Sequence, residues 1–290
     1  MTQDELFPAE IERDVYRRLH PDLAQLEDQA LFEHFRRFGR SEGRVGNRLA
    51  DRESFARLIT PQMKALEIGP FTRPLLEGDN VVYCDVMSRE LLKARAVEIG
   101  LDASRVPEIS YVLGTEGLDT IPADFDAVLS SHSIEHQPDL VRHLQQVERR
   151  LEVKKGRYFL LIPDKRYTFD RYIAESTIAD ILDAHVGKRT VHSLRSVIEH
   201  RALTTHNDPR LHWSEHDKCL PIEPSRVSNA LEEWRAAGGG YIDVHAWYFT
   251  PMSFEANVRL MAQLGLTRFQ IEHVYATRRG AGEFWAILSL

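Results

Sequence analysis

The sequence predicts an α/β fold built around a mostly parallel sheet, and three observations support this. Short apolar runs alternate with helical patterns between residues 65 and 163. Two further apolar runs, joined by the glycine-rich turn at residues 279–282, close the chain. The 290 residues, 43% hydrophobic and 28% charged, suffice for a large core. Because strands that alternate with helices favour right-handed parallel crossovers, only the last two strands are expected to run antiparallel.

Each predicted element has a local signal. Five strands are expected at residues 65–68, 81–84, 109–113, 125–130 and 158–162. Ser88 is placed to cap a helix that runs through Ile99 and is closed by Gly100. Residues 268–275 and 283–288 form the terminal pair. These elements predict a Rossmann-like, seven-stranded, mostly parallel sheet with a terminal antiparallel hairpin.

Two regions fall outside this alternation. Residues 1–48 are expected to form a small helical module, with a helix capped by Asp28 that runs to Phe38. Residues 49–290 then form the main domain. Within it, residues 164–250 lack a clean period and are rich in histidine, arginine and tryptophan. We expect this stretch to be a large insert before the last helix that binds the substrate and acts as a lid.

The composition argues against several classes of partner. The net charge of −7 does not favour general attraction to nucleic acid or anionic lipid. Cys84 and Cys219 form no CxxC pattern, which fits a reducing compartment. The sequence shows neither a signal-peptide pattern nor an apolar run of 18 residues. We therefore expect a cytoplasmic protein with no transmembrane segment and no nucleic-acid substrate.

Two residues at predicted strand ends indicate a nucleoside site, since ligands bind at the carboxyl ends of parallel strands. Gly69 follows the first strand and lets the backbone approach a ligand closely. Asp85 follows the second strand, and its carboxylate can accept both hydrogen bonds of a ribose diol. The chain lacks the full GxGxxG motif and a Walker lysine loop, so a dinucleotide with a pyrophosphate fits poorly.

Three segments in this order, ALEIGPFTRPLL, VVYCDVMS and FDAVLSSHSIEHQPD, resemble the motifs of class I S-adenosylmethionine-dependent methyltransferases. The resemblance covers about residues 65–163, and residues 284–290 resemble the family's last strand. It implies S-adenosylmethionine as cofactor. The residues implied to hold it are Glu67, Gly69, Phe71, Arg73, Asp85, Val86 and Ser131.

The resemblance assigns a part of the cofactor to each group of residues. The first loop, with Glu67 and Gly69, would hold the methionine part, and Asp85 would hold the ribose. The chain departs from the family where Phe71 and Arg73 replace the second and third glycines of that loop. Arg73 would then pair with the cofactor carboxylate. Either Thr115 or Glu116 would contact the adenine.

A hydroxyl nucleophile needs a base when its proton leaves, and a histidine that titrates near neutrality suits that task. His132, at the methyl-transfer end of the family's site, and His245 are the first candidates for base or orienting group, and Asp164 is the third. We expect His245 to lie opposite the core residues Trp247 and Phe249 along an extended segment, and therefore to face the cleft.

The HxxEH pattern of zinc peptidases occurs at residues 132–136 and 212–216. Zinc binding by that motif needs both histidines on one helix, whereas the first copy straddles a strand end. The resemblance implies that Glu135 and His136 instead tie this loop to the following helix. The second copy belongs to a group of six histidines within 32 residues. We expect a polar substrate lid there and no metal, with a divalent ion that aids deprotonation as the alternative.

The acceptor and the partner are implied by resemblance alone. PDKRYTFDR and DVHAWYFTP resemble bacterial methyltransferases associated with surface-polysaccharide synthesis, and residues 10–48 resemble modules beside polysaccharide glycosyltransferases. This implies O-methylation of a sugar or glycan intermediate. It also implies a glycosyltransferase or polysaccharide-assembly partner at residues 10–48. The alternatives are a small metabolite or a protein side chain as acceptor, or a scaffold without catalysis.

Overall fold

A run of four buried residues, Ala65–Ile68, forms an inner strand of the seven-stranded sheet. The structure is a computed structural model that describes residues 7–214 and 222–290. The strands, in chain order, are β1 (Ala65–Ile68), β2 (Val81–Asp85), β3 (Tyr111–Val112), β4 (Ala127–Ser131), β5 (Arg157–Pro163), β6 (Gln270–Tyr275) and β7 (Glu283–Ser289). They lie in the order β3-β2-β1-β4-β5-β7-β6.

Strands β1 to β5 are parallel, and β7 runs antiparallel between β5 and β6. The predicted seven-stranded, mostly parallel, Rossmann-like sheet with a terminal antiparallel pair is therefore confirmed. The third strand is shorter than its predicted span of residues 109–113. It lies at the sheet edge and pairs only with β2, although the amides of Ser110 and Leu113 still donate to β2 carbonyls.

Helices in the described residues lie around this sheet. They are α1 (Arg13–Leu19), α2 (Asp28–His34), α3 (Arg52–Ala56), α4 (Arg89–Glu98), α5 (Leu140–Leu151), α6 (Ile178–Val186), α7 (Leu194–Ala202), α8 (Pro209–Ser214), α9 (Pro224–Ala236) and α10 (Pro251–Gln263). Ser88 caps α4 through the amide of Leu91, as its position predicts. Within the described ranges, no helix is long and apolar enough to cross a membrane.

Alternation along β1 divides the core between the two faces of the sheet. Leu66 and Ile68 face a cluster that contains Leu144 and Val147 of α5. Ala65 faces the other cluster, where aromatic side chains from α3 and β7 stack. Each fully buried leucine of this kind stabilises the fold by roughly 2 kcal/mol. The two clusters hold the strand ends, and so the loops that follow them, in fixed positions.

The insert carries its own small core and does not extend the sheet. Val197 of α7 and Ala230 of α9 pack with Ile242 and Val244. The segment after α9 is extended, but its only pairing in the described residues is an isolated bridge between Phe249 and Asp164. The described part of the insert thus contains four helices, α6 to α9, although the sequence shows no clean period there.

The N-terminal module differs in detail from its predicted helix. α2 ends at His34 and continues as a π-helical turn over Phe35–Gly39, while Glu27 occupies the N-cap position. The module contacts the turn between β6 and β7: the amide of Arg279 donates to the carbonyl of Gly43 at 2.9 Å. The division at residue 48 stays a prediction.

Candidate functional site

A cleft of about 780 Å³ opens at the carboxyl ends of β1 to β4. Each strand contributes to its wall at the point where the strand ends. The contributing residues are Ile68, Gly69, Asp85, Val86, Leu113, Gly114, Thr115, His132 and Ser133. The volume lies in the range of small-molecule sites. The cleft therefore lies where the sequence predicts the ligand, outside the carboxyl ends of the strands.

Gly69 and Asp85 both line this cleft. They follow adjacent strands, because Ile68 pairs with Cys84 and the Gly69 amide donates to the Cys84 carbonyl at 2.9 Å. Gly69 has φ +67°, a left-handed conformation that favours glycine. A Cβ added there would meet only Ser133 Oγ, at 3.9 Å, so the backbone is open toward the cleft.

The Asp85 carboxylate is 7% exposed, and its Oδ1 accepts a hydrogen bond from the Met87 amide at 3.0 Å. Burial raises its pKa, and the backbone hydrogen bonds oppose that shift. A partly desolvated carboxylate gains most from strong donors, such as a pair of hydroxyls. Val86, beside it, is exposed and lines the cleft too.

Glu67 does not line the cleft, contrary to its implied contact with the cofactor. Its side chain is buried, and its two oxygens accept from the amides of Leu75 and Leu76 at 2.9 Å. Burial raises its pKa to about 7, and these two hydrogen bonds oppose the shift. Glu67 therefore stabilises the segment after β1 through hydrogen bonds to its backbone and does not face the cleft. Side chains along β1 alternate between the two faces of the sheet, so Glu67 points to the face opposite to that of Ile68, which lines the cleft.

Three other implied cofactor residues also lie outside the cleft lining. Phe71 packs against the apolar cluster that includes Leu92. Arg73 is exposed to solvent. The hydroxyl of Ser131 is hydrogen-bonded to the guanidinium of Arg52. The structure thus brings Gly69, Asp85 and Val86 together and leaves these three apart. Thr115 lines the cleft whereas Glu116 does not, which separates the two candidates for the adenine contact.

His132 is the one predicted catalytic residue that lines the cleft. Its side chain is 42% exposed, and its backbone has φ +49°. Nε2 lies 2.8 Å from Glu283 Oε2, and Nδ1 lies 3.9 Å from Glu135 Oε1. Burial lowers the pKa of His132, but the Glu283 hydrogen bond and the Glu135 charge outweigh burial and raise it. The imidazole is therefore held in a defined orientation at the end of β4.

Asp164 is placed differently from its predicted catalytic role. It is fully buried and does not line the cleft. Oδ1 accepts from the backbone amide and from Nε of Arg166, and Oδ2 accepts from the Thr277 hydroxyl at 2.6 Å. With both oxygens occupied, this carboxylate fixes the turn after β5 and is not available to take a substrate proton.

His245 is also buried, at 6% exposure, and does not face the cleft as predicted. Residues 245, 247 and 249 are two apart, so in an extended segment they share a side, and Trp247 and Phe249 are core residues as expected. Nδ1 of His245 lies 2.7 Å from Asp170 Oδ2. Burial lowers the pKa of His245 to about 3.

The cleft contains a histidine–aspartate pair that the sequence did not indicate. Nδ1 of His136 lies 2.9 Å from Oδ1 of Asp243, and both residues line the cleft. Burial lowers the pKa of His136, but the Asp243 hydrogen bond outweighs burial and raises it. His136 comes five residues after β4, so its position near a strand end could have indicated a place at the cleft. Asp243 comes from the insert 107 residues later, and no local pattern points to that contact.

The remaining walls come from the start of α5 and from the insert. These further lining residues include Gln137, Asp139, Arg142, His143, Gln146, Arg189, Thr190 and Tyr241. The insert therefore borders the cleft, while its role in substrate binding stays a prediction. Of the second HxxEH copy, His212 lies on α8, whereas Glu215, His216 and the nearby Cys219 lie outside the described residues.

No family model matches the chain, and no curated protein matches it. Solved structures do match over most of its length. A candidate Zn-dependent alcohol dehydrogenase from Rhodobacter sphaeroides is 15% identical, with a TM-score of 0.46, and the match covers 83% of this chain and 90% of that one. An S-adenosylmethionine-dependent methyltransferase from Mesorhizobium loti is 14% identical, with a TM-score of 0.41 and coverages of 81% and 95%. One from Aquifex aeolicus is 11% identical, with a TM-score of 0.40 and coverages of 83% and 90%. At such identities and TM-scores these likenesses assign no function to the chain.

Proposed function

We propose that this chain is an S-adenosylmethionine-dependent methyltransferase. One observation carries the proposal: Gly69 and Asp85 line the same cleft at the ends of adjacent strands. The left-handed glycine beside an unobstructed space suits the amino-acid part of such a cofactor. The buried carboxylate suits the ribose hydroxyls of its nucleoside. Thr115, three residues after β3, lies in the same lining and is our candidate for the contact with the base.

The proposed reaction needs little chemistry from the protein. When bound, S-adenosylmethionine supplies a methyl group already activated by its sulfonium. The acceptor oxygen bonds to the methyl carbon as the carbon–sulfur bond breaks, and the hydroxyl proton passes to a base. The chain's task is to hold the reactants in line and to exclude water. His132, which lines the cleft at the end of β4, is the candidate for orienting the acceptor or taking its proton.

We further propose that the acceptor is a sugar or a glycan intermediate that is methylated on oxygen. The part of the insert that borders the cleft supports this, because it offers the aromatic ring of Tyr241 and the polar side chains of Arg189, Thr190 and Asp243. Such groups bind hydroxyl-rich rings by stacking and hydrogen bonding. The polysaccharide context, with a glycosyltransferase or assembly partner at residues 10–48, rests on the resemblance of the sequence segments alone.

Transfer of a tritiated methyl group tests the proposal. The purified full chain is incubated with [methyl-³H]S-adenosylmethionine and with separate pools of nucleotide sugars, oligosaccharides, small hydroxylated metabolites and proteins. Label in a sugar pool supports the full proposal. Label only in metabolites or proteins keeps the methyltransferase and overturns the glycan acceptor. Cofactor binding without transfer to any pool favours a scaffold, and no cofactor binding overturns the whole proposal.

A further inference from the structure

We propose that Glu135, His136 and His245 bind a divalent transition-metal ion at the inner wall of the cleft. One Glu135 oxygen and one ring nitrogen of each histidine lie within 4.8 Å of one another. Glu135 and His136 belong to the turn after β4, and His245 belongs to the insert. The set therefore joins two of the three defined residues of the first HxxEH motif to a histidine 109 residues beyond His136.

Glu135 is the strongest indication of a bound cation. Its side chain is 1% exposed, and within the described part of the chain neither of its oxygens has a hydrogen-bond partner. Two histidine nitrogens are near Oε1 but too far for a hydrogen bond: Nδ1 of His132 lies 3.9 Å away, and Nε2 of His136 lies 4.0 Å away. A buried carboxylate without partners is costly, and metal coordination is one of the few arrangements that compensates for it.

The two histidines are prepared for coordination in the same way. His136 has Nδ1 at 2.9 Å from an Asp243 oxygen, and His245 has Nδ1 at 2.7 Å from an Asp170 oxygen. When Nδ1 donates its proton to a carboxylate, Nε2 keeps its lone pair for a metal. The two rings are 4.6 Å apart and nearly perpendicular. Carboxylates behind ligating histidines are the usual outer support of protein metal sites.

The donor set indicates the kind of ion. Two imidazoles and one carboxylate suit Zn²⁺ and related ions, whereas Mg²⁺ and Ca²⁺ prefer oxygen ligands. Tetrahedral coordination at 2.0–2.2 Å brings ligand atoms to about 3.4 Å from one another. The 4.0 Å between Glu135 Oε1 and His136 Nε2 would therefore shorten by a fraction of an ångström. Three protein ligands leave one position open, and His136 lines the cleft.

A second group, Asp170, His200 and His245, shares one member with this set. It is less suited to a metal, because two of its members are hydrogen-bonded to each other: Asp170 Oδ2 lies 2.7 Å from Nδ1 of His245. Only one oxygen of Asp170, Oδ1, lacks a hydrogen-bond partner in the described residues, whereas both oxygens of Glu135 lack one. Coordination of the Glu135 set through Nε2 of His245 would keep the hydrogen bond between His245 and Asp170 in place.

The metal would give the cleft a function that the histidines alone do not supply. A hydroxyl bound at the open position becomes more acidic, so its oxygen is a better nucleophile at neutral pH. This role rests on the proposed methyl transfer. Metal binding itself does not, since it depends only on the three ligands and the carboxylates behind them.

Direct binding to the metal-free full chain tests the site. The protein is stripped with a chelator, exchanged into chelator-free buffer and titrated with Zn²⁺ in a calorimeter and with Co²⁺ under visible absorption. We expect one equivalent of each ion, with Co²⁺ bands that report nitrogen and oxygen ligands. E135Q and H245Q should abolish this binding. D243N should weaken it about 10- to 100-fold, as is typical for the outer support of a ligating histidine.

Two matched variants serve as controls. H200Q removes a buried histidine of the competing group, and H185Q removes a histidine that is paired with Asp139 at 3.0 Å outside either group. Both should bind the metal as the unaltered chain does. Circular dichroism of each metal-free variant checks folding, and H136Q replaces H245Q if the latter does not fold.

Two results would overturn the site: no bound equivalent in the unaltered chain, or loss of binding in H200Q while E135Q binds normally. S-adenosylhomocysteine is titrated into the same stripped protein. If that nucleoside binds and the metal does not, only the metal site fails. If the metal binds and the nucleoside does not, the proposed function fails and the site stands.

Discussion

Gly69 and Asp85 are 16 residues apart in the chain but lie on adjacent strand ends, where the Gly69 amide donates to the carbonyl of the residue before Asp85. Both border one cleft, together with the end of β3. The parallel register of β1 and β2 enforces this closeness, because Ile68 and Cys84 are paired. A single ligand in this cleft can therefore contact both groups.

Asp85→Asn should weaken nucleoside binding by tenfold or more. A hydrogen bond to a charged group contributes about 1.5–3 kcal/mol, and a tenfold change corresponds to about 1.4 kcal/mol. Calorimetry with S-adenosylhomocysteine measures the change. Asp79→Asn, at an exposed position just before β2, is the matched control and should bind as tightly as the unaltered chain. Equal affinities for both variants would exclude Asp85 from the site.

Gly69→Ala and Gly100→Ala form a second matched pair. Both glycines have positive φ, +67° and +73°, so alanine at either position should cost about 1–2 kcal/mol of unfolding free energy. Neither added Cβ would clash. Only Gly69 lines the cleft, so only its variant should also lose affinity for S-adenosylhomocysteine. Urea unfolding and calorimetry separate the two effects, and equal affinity loss in both variants would contradict the assignment.

Glu67 should make the protein less stable as the pH rises from about 4.5 to 7. Burial raises its pKa to about 7 from a usual 4.5, so in that window the folded chain holds a proton that the unfolded chain has released. The contribution of Glu67 to the free energy of unfolding is complete below pH 4.5 and is lost as the pH rises through 7. The total loss is up to about 3 kcal/mol. Glu67→Gln keeps an acceptor for the loop amides and removes the titration.

The free energy of unfolding of Glu67→Gln, measured relative to the unaltered chain at pH 5 and pH 8, isolates this residue. Other buried groups titrate equally in both proteins, so the difference between the two reports Glu67 alone. We expect the variant to gain stability relative to the unaltered chain at pH 8. Parallel pH profiles would show that Glu67 does not titrate in this range.

His132→Asn should retain the fold and lose methyl transfer. Asparagine tolerates the left-handed backbone that His132 adopts, at φ +49°. Removal of a general base or of the group that orients the acceptor lowers the rate by roughly 10²- to 10⁴-fold. Single-turnover transfer to the labelled acceptor measures this, with thermal unfolding as the check on folding. An unchanged rate would remove His132 from the mechanism.

Local signals carried much of the fold and part of the site. The apolar run of β1 and the cap at Ser88 are properties of neighbouring residues, so the sequence located both. Gly69 and Asp85 follow from strand ends in the same way. The roles of Glu67 and Asp164 depend on which face of a strand or turn is enclosed, and the sequence pattern does not specify that.

Contacts across the insert were beyond sequence reasoning. The pairing of His136 with Asp243 and the burial of His245 beside Asp170 join residues 107 and 75 positions apart. Both depend on how the four helices of the insert pack, and that packing has no clean period in the sequence. The same separation in sequence applies to the proposed metal site, whose member His245 comes from the insert while Glu135 and His136 follow β4.

Calorimetric titration of the unaltered full chain with S-adenosylhomocysteine, with NAD as the comparison, tests the central claim most directly. We predict one equivalent of bound S-adenosylhomocysteine and no binding of NAD, because the loop after β1 lacks the glycines that admit a pyrophosphate. No heat with S-adenosylhomocysteine at millimolar concentration, or saturable binding of NAD in its place, would contradict the assignment of this cleft.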